Sequence, residues 1–418
     1  MTTKTATTHR QLFFNLILPI LIGALFSLTW YSLPSIGFLV LFPALWLVWK
    51  TRLQSSLFIF SFWCFIDWEI IPDTARFFSN EPFSLLIGFA IWLTQALLYS
   101  VPWILFYSKD KNWLNLSLRT LSLLIILTLP PMGYFFWLNP LASSGILFPG
   151  LAWPGLGLTI ILMLLLVSLP HSKNKIVGII LISILLVTVL LENLAYHPYS
   201  APKDWIAINT KLGGTPANIF EIPARESKLI SLANQALNQN YKVIIFPENI
   251  ALDWLPGTQF QWQDLNHEAQ QKGATIILGA QQDLKDGSSN NILILLGQGT
   301  GSIYPARQPM PIGLWQPWKS ETDNRHWNLP GKFLLQGQET GYLICYEQIV
   351  PWPILSLFLQ APYPTVIISA ANQWFSMPSG YLKQSNHMKA FARLFGVATM
   401  TAVNTKWTVL PVIWPYAA

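Results

Sequence analysis

Seven runs of apolar residues, each close to the length of a membrane-spanning helix, fill the first half of the chain. A helix rises about 1.5 Å per residue, so about 20 apolar residues cross the roughly 30 Å hydrocarbon layer of a bilayer. Hydrophobic residues make up 52% of the sequence and charged residues only 11%, unlike an average soluble domain. The runs predict a multi-span helical membrane region, with helices near 12–31, 34–49, 54–72, 83–107, 117–138, 152–170 and 176–195.

Basic residues are unevenly distributed among the loops between these runs. Most of them fall in the N-terminal tail and in alternate loops, and Arg76 lies in one of the others. Because positive loops stay on the cytoplasmic side, this pattern predicts a multi-pass bacterial inner-membrane protein with a cytoplasmic N-terminus and a periplasmic second half. The formal charge of +6 then reflects topology, so direct nucleic-acid binding is not expected. The acidic residues near helix ends, Asp67, Glu69 and Glu192, are expected to face water or headgroups.

The second half has short apolar runs separated by polar helical segments. This alternation is typical of an α/β layered domain, so we predict two domains, a transmembrane region at 1–198 and a soluble domain at 199–418. The predicted strands are 205–212, 242–246, 274–280, 291–296, 341–345, 365–369 and 397–403, and the predicted helices are 226–238, 264–272 and 383–395. Between two of the strands, Gly297 to Gly301 indicates a hairpin turn rather than a phosphate-binding loop.

Two of the predicted strands end in side chains with reactive chemistry. Phe246-Pro247-Glu248-Asn249 delivers Glu248 at one strand end, and Ile344-Cys345-Tyr346-Glu347 delivers Cys345 at another. Strand ends are where α/β sheets commonly carry their chemistry. A glutamate there can take the proton of a thiol, and the thiolate can attack a carbonyl to form an acyl-enzyme. Taken singly, each residue also fits a structural role.

A third string, Ser369-Ala370-Ala371-Asn372-Gln373-Trp374-Phe375, follows a later predicted strand. Asn372 and Trp374 are candidates for lining the pocket, and Glu347 is a candidate for orienting it, although plain packing explains each of them equally well. The histidines are isolated and no Cys/His spacing indicates a metal site. We therefore predict no metal and no cofactor.

These motifs resemble those of the nitrilase (carbon–nitrogen hydrolase) superfamily, and within it the membrane apolipoprotein N-acyltransferases. Pro247-Glu248 is similar to the motif of the family's catalytic glutamate, and Ile344-Cys345-Tyr346-Glu347 to that of its nucleophile. Ser369 to Phe375 and Val403-Asn404-Thr405 are similar to two later motifs. The resemblance implies a nitrilase-like sandwich with α-β-β-α layers after the membrane helices. It also implies a membrane lipid as acyl donor and a lipoprotein amine as acceptor.

The sequence departs from that family at the expected catalytic lysine. Alignment on Pro311 and Gly313 places Ala306 where the lysine is expected, with Arg307 beside it and Leu314 in place of a following glutamate. Arg307 can stabilise an oxyanion, but its pKa is too high for it to shuttle a proton. Lys319 and Lys332 are alternative cations. The chain also ends soon after Thr408–Pro411, so we expect the domain to be C-terminally short of the family's last strands and final helix.

These departures are typical of a second group that the chain resembles, the plasmid-encoded conjugal-transfer membrane proteins called TraB. Arg307 to Pro311 and Trp315-Gln316-Pro317-Trp318 carry this resemblance, which implies a role in plasmid transfer and a partner in the conjugation machinery. Two hypotheses follow. The protein is a cysteine acyltransferase or amidase that uses Glu248, Cys345 and Arg307, or it is a binding or assembly protein that kept the fold without turnover. A transporter is a weaker third, because the helices hold few ionisable residues.

Overall fold

The first half of the chain is helical, and Thr51 and Asn112 are side-chain caps of two of its helices. The structure, a computed structural model, describes residues 12–79, 81–216 and 218–406. Helices α1 to α9 are, in chain order, Leu18–Ser27, Phe42–Leu47, Arg52–Ile66, Ile70–Phe77, Ser84–Phe106, Trp113–Thr128, Ser144–Leu147, Ala152–Ser168 and Lys175–Ala195. Turns of 3-10 or π helix accompany them at Phe13–Ile17, Leu28–Tyr31, Pro34–Leu41, Met132–Tyr134, Pro140–Ser143 and Leu169–His171. Thr51 and Gln54 form a capping box that begins α3.

Several helices are suited to a membrane. Among the residues described, four helical stretches are long and apolar enough to cross one. The pair α3 and α4, bent by 44°, is either a broken fifth span or a re-entrant loop. Two shorter apolar helices, Pro34–Leu47 and Trp113–Thr128, match the remaining predicted runs. The run predicted at 117–138 ends early, because Pro130 and Pro131 follow α6 and cannot continue its hydrogen bonds. The four long stretches are Phe13–Tyr31, Ser84–Phe106, Ala152–His171 and Lys175–Ala195.

The second half alternates strands and helices, as its sequence predicts. Helices α10 to α14 are Ile222–Asn238, Pro256–Gln261, Gln263–Gln271, Pro351–Ser356 and Pro378–Phe395. Strands β1 to β9 are Trp205–Ala207, Val243–Ile245, Thr275–Asp283, Ser289–Gly297, Ile303–Pro305, Lys332–Leu335, Gln338–Ile344, Val366–Asn372 and Ala398–Asn404. Short 3-10 turns occur at Ile219–Glu221 and Cys345–Gln348. The sequence did not predict β5 or β6, which are short strands at sheet edges.

The strands form two sheets that face each other. The first sheet has the order β1-β2-β3-β4-β5 and the second the order β6-β7-β8-β9. In the first, β1 to β3 are parallel and β3 to β5 antiparallel; in the second, β7, β8 and β9 are parallel. The predicted hairpin connects β4 to β5.

The core explains this layering. Ile245, Ile277 and Leu293 of the first sheet pack with Ile344 and Ile368 of the second in one buried cluster. The opposite face of the first sheet packs against α10 and α12. Alternate residues of each strand therefore serve different layers. Together with the apolar helices, this layering confirms the predicted fold class, a multi-span helical region plus a nitrilase-like α/β sandwich.

The chain divides into two compact units. The helical unit comprises the described part of Met1–Tyr199 with Ile349–Leu355 and Ser379–Val397. The two-sheet unit comprises Ser200–Gln348, Ser356–Pro378 and the described part of Ala398–Ala418. Most of α14, which connects the parallel strands β8 and β9, is therefore grouped with the membrane-type helices.

A buried cluster of opposite charges lies inside the helical unit. Asp67 and Glu69 follow α3, and the prediction that they face water is wrong, because they are 6% and 2% exposed. Lys383 of α14 donates to Glu69 at 2.8 Å and lies 3.9 Å from Asp67. Tyr31 donates to Glu69 at 3.0 Å, and Gln95 donates to Asp67 at 2.7 Å. Buried charges need such partners. No local pattern indicates that Lys383, more than 300 residues further along the chain, supplies the cation.

Candidate active site

Strand ends from both sheets bring a carboxyl and a thiol together in the two-sheet unit. Glu248 lies three residues beyond the last residue of β2, and Cys345 directly follows β7. Asn372 is the last residue of β8, so the parallel pair β7 and β8 delivers both Cys345 and Asn372 at one edge. Glu248 and Cys345 are within hydrogen-bonding reach of each other. This is the pairing that the two sequence motifs predict.

Neutral donors hold the carboxyl of Glu248. The Asn291 side-chain amide donates to Oε1 at 2.6 Å, and the Asn372 backbone N–H donates to Oε2 at 2.8 Å. Glu248 is buried, and burial raises its pKa to about 7, with the hydrogen bonds from Cys345, Asn291 and Asn372 acting in the opposite direction. A carboxyl with this pKa can both take and return a proton near neutral pH.

Cys345 occupies a strained position between β7 and a 3-10 turn. Its φ is +45°, in the left-handed region that residues with a side chain rarely adopt. The backbone N–H groups of Tyr346 and Asn372 point at the sulfur, and the Gln373 amide lies 3.8 Å from it. Burial, and then the neighbouring Glu248, raise the pKa of the thiol well above its usual value. The thiol must therefore lose its proton to Glu248 as it attacks.

Glu347 fixes the turn that carries Cys345. Its Oε1 accepts the backbone N–H groups of Arg307 at 2.6 Å and Gln308 at 3.1 Å, and its Oε2 accepts that of Ile344 at 2.8 Å. The side chain is fully buried, and burial raises its pKa while the Arg307 guanidinium counteracts that effect. The predicted orienting role of Glu347 is consistent with these contacts, since one carboxylate links both ends of the cysteine turn to the 307–308 segment.

The guanidinium of Arg307 lies elsewhere in this network. It is 3.5 Å from Glu347, and it donates to Ser356 at 2.9 Å and to the Tyr342 carbonyl at 3.4 Å. Tyr342 precedes Cys345 by three residues, about 10 Å along an extended strand. These contacts do not support the predicted role of Arg307 in stabilising charge at the thiol. They indicate a buried structural cation, packed closely against Gly331.

The alternative cations do not take the place of the missing lysine either. Ala306 is buried in the core between the sheets, where the family resemblance places the lysine. Lys319 is exposed. Lys332 lies on β6, and its ammonium donates to the carbonyl of Pro362 at 2.8 Å.

The remaining predicted residues lie at the same strand ends. The Asn372 side-chain carbonyl accepts from Asn404, the last residue of β9, at 2.8 Å. The Trp374 ring packs against Gly214, and the ammonium of Lys406 lies 5.3 Å from its centroid. Asn372 therefore contacts the Glu248–Cys345 pair directly, whereas Trp374 packs against a neighbouring turn.

Sequence reasoning missed three polar residues of this region. Asn291 starts the apolar part of β4, Gln373 stands inside the third string, and Asp323 lies in a loop. A polar residue directly before an apolar strand was the one available signal for Asn291.

No group of three metal-binding side chains occurs among residues 12–79, 81–216 and 218–406. The C-terminal stretch Thr408–Pro411 lies outside the described residues.

The two facing sheets carry the Glu248–Cys345 pair on a chain that also has membrane-type helices. No protein-family model matches the chain. It is 27% identical over 387 residues to the conjugal transfer protein TraB of Agrobacterium fabrum, covering 88% of this chain and 87% of that protein. A probable TraB of Sinorhizobium fredii is 26% identical, covering 87% of this chain and 91% of that protein. These matches confirm the predicted resemblance to TraB proteins.

Two further likenesses cover about half of the chain. The apolipoprotein N-acyltransferase of Helicobacter hepaticus is 27% identical over 199 residues, which is 44% of this chain and 50% of that protein. An amidase of Nesterenkonia sp. AN1 aligns structurally over 48% of this chain and 78% of its own, with 11% identity and a TM-score of 0.36. The match to the acyltransferase confirms the more distant resemblance that the motifs predict.

Proposed function

We propose that the protein is a membrane-bound acyltransferase that works through a thioester on Cys345. The observation that carries this proposal is the contact between the Cys345 thiol and the buried Glu248 carboxyl at the ends of β7 and β2. The sulfur attacks an acyl carbonyl as its proton moves to Glu248, and the acyl C–O bond breaks. The leaving alkoxide takes that proton. An amine or water then cleaves the thioester and regenerates the thiol.

The relatives suggest the setting. The name of the Helicobacter relative makes acyl transfer to the amine of a lipoprotein the reaction to examine. The motif resemblance implies a membrane lipid as the donor. The names of the TraB relatives make conjugal plasmid transfer the process to examine, with a conjugation protein as partner. Hydrolysis of the thioester by water, an amidase-type outcome, uses the same acyl-enzyme.

A direct experiment detects the acyl-enzyme. Purified protein in detergent is incubated with a phosphatidylethanolamine that carries an alkyne at the end of one acyl chain. We expect an adduct on the peptide that contains Cys345, released by hydroxylamine because it is a thioester. Failure to form any such adduct with phospholipid or simple ester donors would contradict the proposal.

Ala306 favours the alternative, a binding or assembly protein without turnover. A small apolar residue stands where the family resemblance places a catalytic lysine, and Arg307 contacts other groups. Under this alternative, plasmid transfer depends on the protein but not on its thiol. Mating assays with a chain that lacks Cys345 distinguish the two functions.

The proposed location is the bacterial inner membrane, with the N-terminus in the cytoplasm and the two-sheet unit in the periplasm. The distribution of Lys and Arg among the loops supports this orientation. A cysteine introduced at exposed Lys285, in a chain without its own cysteines, is expected to react with a membrane-impermeant maleimide in spheroplasts. Labelling only after the membrane is broken would show that the two-sheet unit lies in the cytoplasm.

The raised pKa of Glu248 predicts how thiol reactivity changes with pH. Glu248 becomes a carboxylate, and so a base, as the pH rises through about 7. Alkylation of Cys345 by iodoacetamide should therefore accelerate across that pH range in the Cys64→Ala protein. Glu248→Gln should remove this step and leave the rise that belongs to the thiol itself at higher pH. An unchanged profile in Glu248→Gln would show that another group controls the thiol.

A further inference from the structure

A second buried carboxyl, Asp323, is hydrogen-bonded to a side chain of β4, the strand that also provides a donor to Glu248. Ser289 and Asn291 are two residues apart on β4, so their side chains share a face at a spacing of about 7 Å. Asn291 donates to Glu248, whereas Ser289 donates to Asp323 at 2.5 Å. Asp323 also accepts from the Gln281 amide at 3.1 Å. The donors to Asp323 are thus neutral, and two carboxyls are held next to each other.

Two acceptor atoms in this region lack a donor among the residues that the structure describes. They are Oδ2 of Asp323 and Oδ1 of Asn291, whose residues are 2% and 3% exposed. The orientation of the Asn291 amide follows from its contact, because Glu248 accepts and the NH2 group must face it. An unsatisfied buried acceptor is unfavourable. Together these atoms make the region beside Glu248 rich in acceptors and poor in donors.

We propose that Asp323, Asn291 and Glu248 form a subsite for the ammonium group of a primary-amine acceptor, an inference that rests on the acyl transfer proposed for Cys345. An ammonium has three N–H donors and no acceptor, so it complements these three side chains. The charge of Asp323 is one of the causes that raise the pKa of Glu248, so the two carboxyls are close enough for one cation to interact with both. A neutral alcohol supplies one donor and fits less well.

The subsite places the acceptor for the second half of the reaction. The ammonium gives one proton to the Glu248 carboxylate, and the amine lone pair attacks the thioester carbonyl. The C–N bond forms, the C–S bond breaks, and the Cys345 sulfur takes one proton. The second proton lost by the nitrogen leaves to solvent, so the products are an amide, a free thiol and one proton. Asp323 is a binding residue in this scheme and takes no proton.

The test measures ammonium binding by the protection that it gives the Cys345 thiol, and it does not require turnover. In the Cys64→Ala protein, n-butylammonium chloride is titrated against the rate at which iodoacetamide alkylates Cys345, with n-butanol and sodium chloride as matched controls. We expect butylammonium to protect the thiol, and butanol and sodium chloride at the same concentrations to leave it unprotected. Asp323→Asn should raise the half-protecting concentration about 10- to 100-fold. Asp264→Asn, an equal change of charge at an exposed position of α12, should leave it unchanged.

Each outcome bears on the subsite or on the proposed function separately. Equal protection by butanol, or unchanged protection in Asp323→Asn, overturns the subsite. If Asp323→Asn does not fold, Ser289→Ala replaces it as the test, because it removes one donor to Asp323. This variant is expected to weaken protection about three- to tenfold. Unchanged protection in Ser289→Ala would overturn the proposal. If butylammonium protects the thiol but no acyl-enzyme forms, the ammonium site is supported and the acyltransferase function is rejected. If an acyl-enzyme forms but butylammonium does not protect the thiol, the acyltransferase function is supported and the ammonium site is rejected.

Discussion

Cys345→Ala is expected to abolish thioester formation completely, while Cys64→Ala retains it. The chain has two cysteines, and Cys64 is buried within α3 of the helical unit. Cys345 meets Glu248 and the N–H groups of Tyr346 and Asn372. Alanine keeps the Cβ atom, so the positive φ at this position strains both side chains alike and the fold should survive. The measurement is the hydroxylamine-sensitive alkyne adduct, quantified by mass spectrometry.

The same pair of variants separates the two functional hypotheses in cells. If acyl transfer is the function, Cys345→Ala should lower plasmid transfer to the level of a strain without the gene, and Cys64→Ala should not. Equal protein levels in the membrane fraction are the necessary control. Normal transfer by Cys345→Ala would favour the assembly protein, and an adduct that persists in Cys345→Ala would show that the acyl chain is attached elsewhere.

Glu347→Ala is expected to be the most destabilising single change in the two-sheet unit. It removes the acceptor of three buried backbone N–H groups and the carboxylate beside the buried Arg307 guanidinium. Removing one partner of a buried ion pair costs about 3–5 kcal/mol, because the other charge stays buried. The midpoint of thermal unfolding in detergent should fall on the order of 10 °C.

Two further variants test whether the hydrogen bonds accepted by Glu347 are responsible for this stability. Glu321→Ala removes an exposed carboxylate from the loop after Arg307 and should change the midpoint little. Glu347→Gln keeps one acceptor oxygen and should fall between alanine and the native residue. The turn of Cys345 should also loosen, so iodoacetamide should alkylate the folded Glu347→Ala protein faster. A midpoint within the error of the native value would mean that other contacts hold the turn.

Local sequence patterns predicted most of the fold because the responsible forces are local. Apolar runs of helical length marked the membrane-type helices, and the strand runs that carry Glu248 and Cys345 lie within a few residues of their predicted bounds. The exceptions also have local reasons. Pro130 and Pro131 ended α6, and strands as short as β5 contain too few residues for a period to show.

The parts of the site that escaped prediction depend on contacts between distant residues. Arg307 follows Ala306 at the expected place of a cation, yet its side chain is directed to Ser356 and Tyr342, which the local sequence does not encode. Asn291 and Asp323 are ordinary polar residues in their own segments, and only β4 aligns them with Glu248. Spacing along the chain could not reveal such side-chain directions.

The buried charges around Lys383 have a consequence for how the protein is made. Asp67 and Glu69 are synthesised early, but their cation comes from a helix that is translated more than 300 residues later. The helical unit also includes Ser379–Val397, so it cannot be complete until that segment has left the ribosome. During that interval two carboxylates at a helix break lack this counter-ion, because α14 is synthesised only after β8.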